Sequence, residues 1–574
     1  MADDKEVGSW RDREAAAEPR GMALDPLREP VPGVSAFGTV YVPGYLIISG
    51  DPEAATSVLR DAGATLGWDV KLETIREAAP TDEAGQSSQL TRARIFQSPK
   101  PGRDDEPVPP IDAWRLLQRA RTPRVDEQSA RDGALEASRS VDPGGGGRRV
   151  QQHSEVAPDD PLRNVGLDHV LIIDPIGINP HTRTNPHTRT NPHTRTNPHT
   201  RTNPVGIDGY AYPGSGGLEV VSYIGPKPAR LLPLKEGGRR PVIAFVDTGC
   251  GAHAWLPVEP TSEEVAEGAL PEGEHPIIRR RVPALVTPQV IGIDDPGTDP
   301  EVFGDQAGAL DGFLDDGAGH GTFVAGVLRQ VCPEADLISL RVADSNGTVL
   351  ESEFIDALEE LVQLMDGQGA GSAQPVDVVN LSLGYYHETP EDGRFSTRLY
   401  DVLKELRSRG CVVVCSAGND ATDRPTFPAA LWDWNDPELR LVEPAGLAAH
   451  ISVGALNPNN TSVALYSNVG KWVRAYAPGT SVLSTIPPLQ GGVQAGSRYD
   501  MYDRRRETID PDDFTGGYAI WSGTSFAAPF VAGSIARYLA EGLMAGEAVD
   551  ITAREAATNA ALADVTARDG SGIA

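Results

Sequence analysis

Three short segments hold the residue types that proton transfer and nucleophilic attack require, each at the edge of a regular element. The first, PVIAFVDTG, is an apolar run ending on Asp247, with Gly249 two residues on. A carboxylate at the end of a buried strand can orient an imidazole and stabilise its charged form. The second, DDGAGHGTFVAGVL at 315–328, sets His320 among Gly317, Gly319 and Gly321, ahead of Phe323, Val324, Gly326 and Val327 at helical spacing. The glycines allow another chain segment to come close, and an imidazole at a helix start is poised for proton transfer; a buried structural histidine is the competing reading. The third, YAIWSGTSFAAPFVAGSIARYL at 518–539, puts Ser525 between a glycine turn and a run of helix formers, with Pro529 in the first turns. A serine there serves equally as an N-cap or as a nucleophile assisted by nearby amide donors. Asn419 follows the apolar run CVVVCS, where it is either a turn residue or an amide donor.

Such groups act only if something holds them together. PVIAFVDTG, ADLISLRVAD, VDVVNLSLG and CVVVCSAGND repeat one pattern, an apolar strand followed by a polar loop. Helical patterns lie between them, at 352–364 (SEFIDALEELVQL) and 398–410 (RLYDVLKELRSRG). Strands alternating with helices at these lengths predict an α/β fold with a mainly parallel sheet flanked by helices. In such sheets active groups gather in the loops beyond the carboxyl ends of the strands.

Taken together and in this order, FVDTG, GHGTFVAG and SGTSFAAP resemble the three active-site signatures of the subtilisin-like serine proteases, the subtilase family (peptidase family S8). RVADSNG, NLSLG, SAGN and APGTSVLST extend the resemblance over roughly residues 238–545. The resemblance implies a three-layer subtilisin-like domain and a serine endopeptidase working through an acyl-enzyme intermediate. It assigns the triad to Asp247, His320 and Ser525, in the Asp, His, Ser chain order. By the same carry-over the Asn419 amide donates to the oxyanion, and Ser382, Leu383 and Gly384 pair with the substrate backbone. The chemistry agrees: His320 takes the Ser525 proton and returns it to the leaving amine, while Asp247 fixes the tautomer. Ser416, Ala417 and Gly418 form the second wall of a groove whose base carries little charge, which predicts tolerance for apolar side chains. An inactive subtilase-like scaffold that captures peptides without turnover is the alternative. No cofactor is needed for the reaction. Calcium sites occur in this family, and Asp299, Asp311, Asp315 and Asp316 form an acidic stretch before His320, but no ordered calcium loop is present and no metal is assigned.

The rest of the chain divides by composition. Residues 1–38 are charged and rich in Pro and Gly, and disorder is expected there. TVYVPGYLIISG, DPEAATSVLRDAGATLG and WDVKLETI read as strand, helix and strand, a small α/β domain over 39–123. That domain is either an intramolecular inhibitor or folding aid released by cleavage, or a permanently attached recruiting domain. A polar linker covers 124–164, and 165–237 holds a short strand and then NPHTRT four times from Asn179 to Thr202. Proline every sixth residue fits neither an amphipathic helix nor a central strand. Its four histidines, His181, His187, His193 and His199, invite a metal, yet regular spacing on an extended chain does not make ligands converge, so a linker or docking segment is expected. The catalytic domain is placed at 238–548 and a tail at 549–574.

The 574 residues carry a formal net charge of −30, which opposes binding to nucleic acid or anionic membranes. No run of eighteen apolar residues occurs, and the acidic amino terminus does not resemble a signal peptide, so a cytoplasmic location is the default, with non-standard export as the alternative. Cys250, Cys332, Cys411 and Cys415 are expected to be buried thiols.

Overall fold

The computed structural model describes residues 10–18, 20–25, 36–49, 52–74, 90–98, 108–121, 160–173, 227–258, 277–280, 282, 290–308, 314–367, 373–388, 397–434, 441, 443–489, 498–499, 504–506, 514 and 516–569. The NPHTRT repeats, Asp311 and most of the polar linker lie outside the described residues.

Helix α1 (Trp10–Ala17) and strand β1 (Met22–Ala23) come first. They correct the expectation of disorder for the described residues 10–18 and 20–25 alone. Arg13 is buried, with its guanidinium 2.6 Å from the Asp305 carboxylate and donating to the Asp305 and Gly308 carbonyls. A buried guanidinium with a carboxylate and two carbonyls as acceptors anchors a polar segment that has too little apolar surface to anchor itself.

The small unit then runs β2 (Val40–Ile48), α2 (Pro52–Leu66), β3 (Trp68–Thr74), β4 (Thr91–Gln97), α3 (113–121) and β5 (Val165–Ile173). Its sheet is antiparallel, ordered β5-β2-β4-β3, the split β-α-β arrangement. Strand β5, read from sequence as part of a connector, is the neighbour of β2 in this sheet; a sheet accepts a strand from any distance along the chain if its apolar pattern fits. The pattern of β2 and β5 serves two faces. Leu46, Ile48, Val165 and Leu167 pack with Leu59, Trp68, Trp114 and Leu117 under the two helices. Ile47, Leu171 and Ile173 point the other way, into the core of the larger unit.

The larger unit contains β6 (Val242–Asp247), β7 (Ile278–Arg279), α4 (His320–Val331), β8 (Asp336–Arg341), β9 (Thr348–Leu350), α5 (Glu351–Asp366), β10 (Val378–Leu381), β11 (Leu383–Gly384), α6 (Thr397–Ser408), β12 (Val412–Ser416), β13 (His450–Leu456) and β14 (Ala475–Pro478). It ends with β15 (Val482–Thr485), β16 (Tyr518–Trp521), α7 (Thr524–Met544) and α8 (Ile551–Asp569). Seven strands make one parallel sheet in the order β14-β13-β12-β10-β6-β8-β7. Strands buried on both faces read as continuous Val/Ile/Leu runs, as VVNL and VVVCS do. Phe245, Val412 and Val414 face α4 and α7, while Val246, Val379 and Val413 face α5 and α6.

The expected carboxy-terminal tail is instead helix α8. Ala557, Ala561 and Val565 join the core, and Arg554 donates to the buried Asp377 at 2.9 Å. Spacings of four residues between small apolar side chains make the packed stripe that a reading based on composition passed over.

Candidate active site

The chain reverses its winding direction between β6 and β10, which opens a crevice at the carboxyl ends of these strands. Three loops leave the sheet there. Asp247 ends β6, Ser382 follows β10, and Asn419 lies three residues beyond β12.

Asp247 is fully buried, and its Oδ1 accepts from His320 Nδ1 at 2.8 Å and from the Thr248 amide at 2.8 Å. That contact places the Nδ1 proton toward the carboxylate and turns Nε2 to the opposite side. Nε2 makes no hydrogen bond among the described residues. Trp521 meets the imidazole edge-on with centroids 5.5 Å apart, and Phe526 lies at 5.3 Å, so the ring sits in an apolar cage. His320 begins α4 after Gly319, whose φ of 78° is left-handed and costs glycine little. Gly321 is needed for close approach: a Cβ there would collide with the Gly249 carbonyl oxygen.

Glu301, which sequence reasoning missed, holds this helix start in place. Its carboxylate accepts from the hydroxyls of Thr248 and Thr322, both at 2.5 Å, and from the amides of Gly321 at 3.1 Å and Thr322 at 3.3 Å. A remote loop thus supplies the carboxylate that an N-cap side chain would bring, since Gly319 has none. Burial pushes the Glu301 carboxyl up to about 7. Nothing in the spacing of DPEVFGDQ marks this residue.

Ser525 is the second residue of α7 and is fully buried. Its backbone carbonyl accepts from Ser382 Oγ at 2.8 Å, and its own hydroxyl makes a long contact of 3.4 Å to the Ser382 carbonyl. The neighbouring Thr524 amide donates to Asn419 Oδ1 at 2.8 Å, and Thr524 Oγ1 accepts from the Gly418 amide at 3.0 Å. These bonds fix the Asn419 side chain with its oxygen on the helix and its NH₂ beside Gly523, 3.5 Å from where a Cβ would stand.

Leu383 and Gly384 form β11, which pairs antiparallel with Ile173 and Ile172 of β5. On the other side Ser416 ends β12. The Ala417 amide donates to the Val453 carbonyl at 2.9 Å, and its carbonyl accepts from Thr426 and Asn468. Both polar groups of Ala417 are therefore committed to the scaffold, which leaves only its methyl to line a groove.

The acidic stretch is used locally. Asp299 accepts from the Glu301 amide at 2.9 Å, and Asp315 from those of Gln306 and Ala307 at 2.7 and 3.0 Å. All four cysteines are buried and unbridged, and burial pushes the Cys250 thiol up to about 12, far from reactivity at neutral pH.

A family model described as the subtilase family matches residues 238–572. The chain belongs to that family of serine peptidases, and its larger unit is the subtilisin-like fold. An intracellular serine protease of Paenibacillus polymyxa is 27% identical over 308 residues, covering 52% of this chain and 66% of that protein. Subtilisin NAT of Bacillus subtilis subsp. natto is 29% identical over 235 residues, covering 39% of this chain and 47% of that protein. The chain thus spans about half to two thirds of the length of these curated relatives. A cold-adapted subtilisin-like serine proteinase of known structure aligns over 58% of this chain and 88% of its own, at 20% identity and a TM-score of 0.31. No helix among the described residues is long and apolar enough to cross a membrane.

Proposed function

We propose that the chain is a serine endopeptidase in which Ser525 attacks the scissile carbonyl, His320 moves the proton and Asp247 holds the imidazole. The observation that carries this reading is the buried 2.8 Å contact between Asp247 and His320 Nδ1, which aims Nε2 away from the sheet. Phe526 packs on the His320 ring, which brings the start of α7 to that imidazole and supports the choice of Ser525 as its partner.

In the reaction His320 accepts the hydroxyl proton as the acyl-enzyme forms and delivers it to the departing amine. A water then retraces these steps to release the acid. Negative charge on the tetrahedral oxygen is met by the Asn419 NH₂ and the Ser525 amide; a donor of this kind typically contributes about 3 kcal/mol. The Thr524 amide on Asn419 Oδ1 supports that assignment, because it orients the side chain before substrate arrives. Ser382, Leu383 and Gly384 offer the backbone edge on which an extended peptide adds as a strand. Ser416, Ala417 and Gly418 line the opposite wall.

The amino-terminal unit acts as an intramolecular inhibitor in this reading. Strand β5 already occupies the edge of β11, with Ile173 opposite Leu383 and Ile172 opposite Gly384, and it also pairs with β9. A substrate strand needs the same hydrogen bonds.

The test is a mixed-peptide digestion read by mass spectrometry, with the parent beside Ser525→Ala. Cleavage by the parent alone is expected, and the products report side-chain preference. Cleavage that persists in Ser525→Ala overturns the assignment. Peptide binding by both proteins without cleavage supports the inactive scaffold instead.

A further inference from the structure

Between the two units lies a second buried cluster that the peptidase chemistry does not use. We propose that His169, His387 and Glu388 form a site for a divalent metal ion of the zinc type, bound across the seam where β5 meets the larger unit.

The three side chains come from both sides of that seam. His169 stands in the middle of β5, and His387 and Glu388 lie just beyond β11. Each is about 1% exposed, and one donor atom from each falls within 4.8 Å of the other two. Imidazole nitrogen and carboxylate oxygen are the donors zinc takes, and three protein donors suffice when a further oxygen fills the remaining position.

His169 Nε2 is 2.7 Å from Glu388 Oε2, and His387 Nδ1 is 3.6 Å from the same oxygen. The second distance is too long for a hydrogen bond. Two ligands on one tetrahedral zinc, each about 2.0–2.1 Å from the ion, stand about 3.3 Å apart, so an ion would take the place of the proton between His169 Nε2 and Glu388 and move them apart by about half an ångström.

The surroundings are those of a metal ligand set. His169 presents Nδ1 to Glu351 Oε2 at 2.6 Å, and Glu351 in turn accepts from the Tyr385 hydroxyl at 3.0 Å. A carboxylate on the far nitrogen keeps the Nδ1 proton in place, so that Nε2 ligates once an ion displaces the proton it shares with Glu388. Tyr385 stacks on His169 with centroids 4.5 Å apart, and Phe427 meets His387 edge-on at 6.0 Å, an apolar shell that keeps bulk water out. Phe37 donates its amide to the Glu388 carbonyl, and Arg424 donates to the His387 carbonyl at 2.8 Å. The ligands are therefore held before any ion arrives. A bound ion would clamp the amino-terminal unit onto the larger one, a role independent of whether Ser525 cleaves peptides.

Metal content tests this without reference to turnover. The full chain is stripped with a chelator, loaded with zinc chloride, freed of excess by gel filtration and assayed by elemental mass spectrometry. The four repeat histidines compete for zinc, so a chain with His181, His187, His193 and His199 all changed to alanine is run alongside. One zinc per chain is expected in the parent and in the repeat variant, with affinity at least tenfold weaker in Glu388→Gln and His387→Ala. Cobalt in place of zinc should give the intense visible bands of a tetrahedral site in the parent and not in Glu388→Gln. Glu388→Gln preserves shape and decides the matter if circular dichroism shows His387→Ala unfolded. Zinc lost with the repeat histidines but retained by Glu388→Gln overturns the proposal. So does a parent that retains none, which would leave a proton shared among His169, Glu351 and Glu388 as the account of the cluster.

Discussion

The parallel sheet of the larger unit is buried on both faces, whereas the antiparallel sheet of the amino-terminal unit is covered on both only along β5 and leaves Arg94 and Phe96 of β4 exposed, and the two keep their polar groups in different places. In the parallel sheet these groups stand at the carboxyl ends of strands, where Asp247, Ser382 and Asn419 surround the start of α7. In the antiparallel sheet they sit within a strand, as Asp168 and His169 in VGLDHVLII, and apart from Arg92 the partners named here belong to the other unit. Asp168 accepts from the Ser352 amide at 3.1 Å at the start of α5 and pairs with Arg92; His169 meets Glu351 and Glu388. One arrangement gathers groups that can act on a ligand. The other commits charged groups to a single docking geometry, because undocking would leave them without their partners.

If the division is real, changes at the strand ends should remove turnover and leave docking intact. His320→Gln carries the largest expected effect, a fall in peptide cleavage of at least about a thousandfold, with the thermal midpoint of the amino-terminal unit unchanged. Loss of docking in the same variant would show that the two regions are not separable. Asn419→Asp follows. It keeps an oxygen for the Thr524 amide and removes the NH₂, so kcat should fall about 10²- to 10³-fold with KM little changed. A rise in KM alone would make Asn419 a binding residue and break its assignment to the oxyanion.

The residues at these strand ends could be picked out because the proposed chemistry would demand particular residues in short contiguous stretches. FVDTG, GHGTFVAG and SGTSFAAP each hold a carboxylate, imidazole or hydroxyl together with the small residues that allow close approach, as Gly321 against Gly249 shows. The alternation of strands and helices was legible too: the helices expected at 352–364 and 398–410 are Glu351–Asp366 and Thr397–Ser408. Contacts made by residues far apart in the chain were not. Glu301 reaches a helix start twenty residues on, Arg13 finds Asp305 across 292 residues, and β5 joins β2 across a long insertion. No local pattern encodes such partners, since the residue types involved are those of any solvated loop. The helix at Ile551–Asp569 was missed for a related reason, its buried stripe being built from alanine.

Glu301 sharpens the comparison from the stability side. Its carboxyl is raised by burial to about 7, so the folded chain holds that proton more tightly than the unfolded chain. Stability from this source is fully present below the unfolded pKa, near 4.5, and is lost as pH rises through about 7. Unfolding free energies of the parent, from urea titration, should therefore fall relative to Glu301→Gln between about pH 4.5 and about pH 7 and level off above that, by about 3 kcal/mol in all. Parallel curves for the two proteins would place the Glu301 titration outside that window and remove it as a pH-dependent support of the His320 helix.

The smallest expected effect bears most directly on how the two sheets are coupled. Ile173 is fully buried, faces the core shared with Phe354 and Leu383, and ends the strand that covers β11. Placing a charge there costs several kcal/mol unless the strand leaves, because the site offers an isolated guanidinium no solvent. In Ile173→Arg the end of β5 should therefore lift, read as faster amide exchange over residues 165–173, while the parallel sheet keeps its protection. If that strand blocks the edge on which a peptide must add, cleavage should rise about tenfold, a change of about 1.4 kcal/mol, since strand addition and strand docking use the same backbone groups. Faster exchange without faster cleavage would separate docking from inhibition, and β5 would then hold the amino-terminal unit in place without controlling access to Ser525.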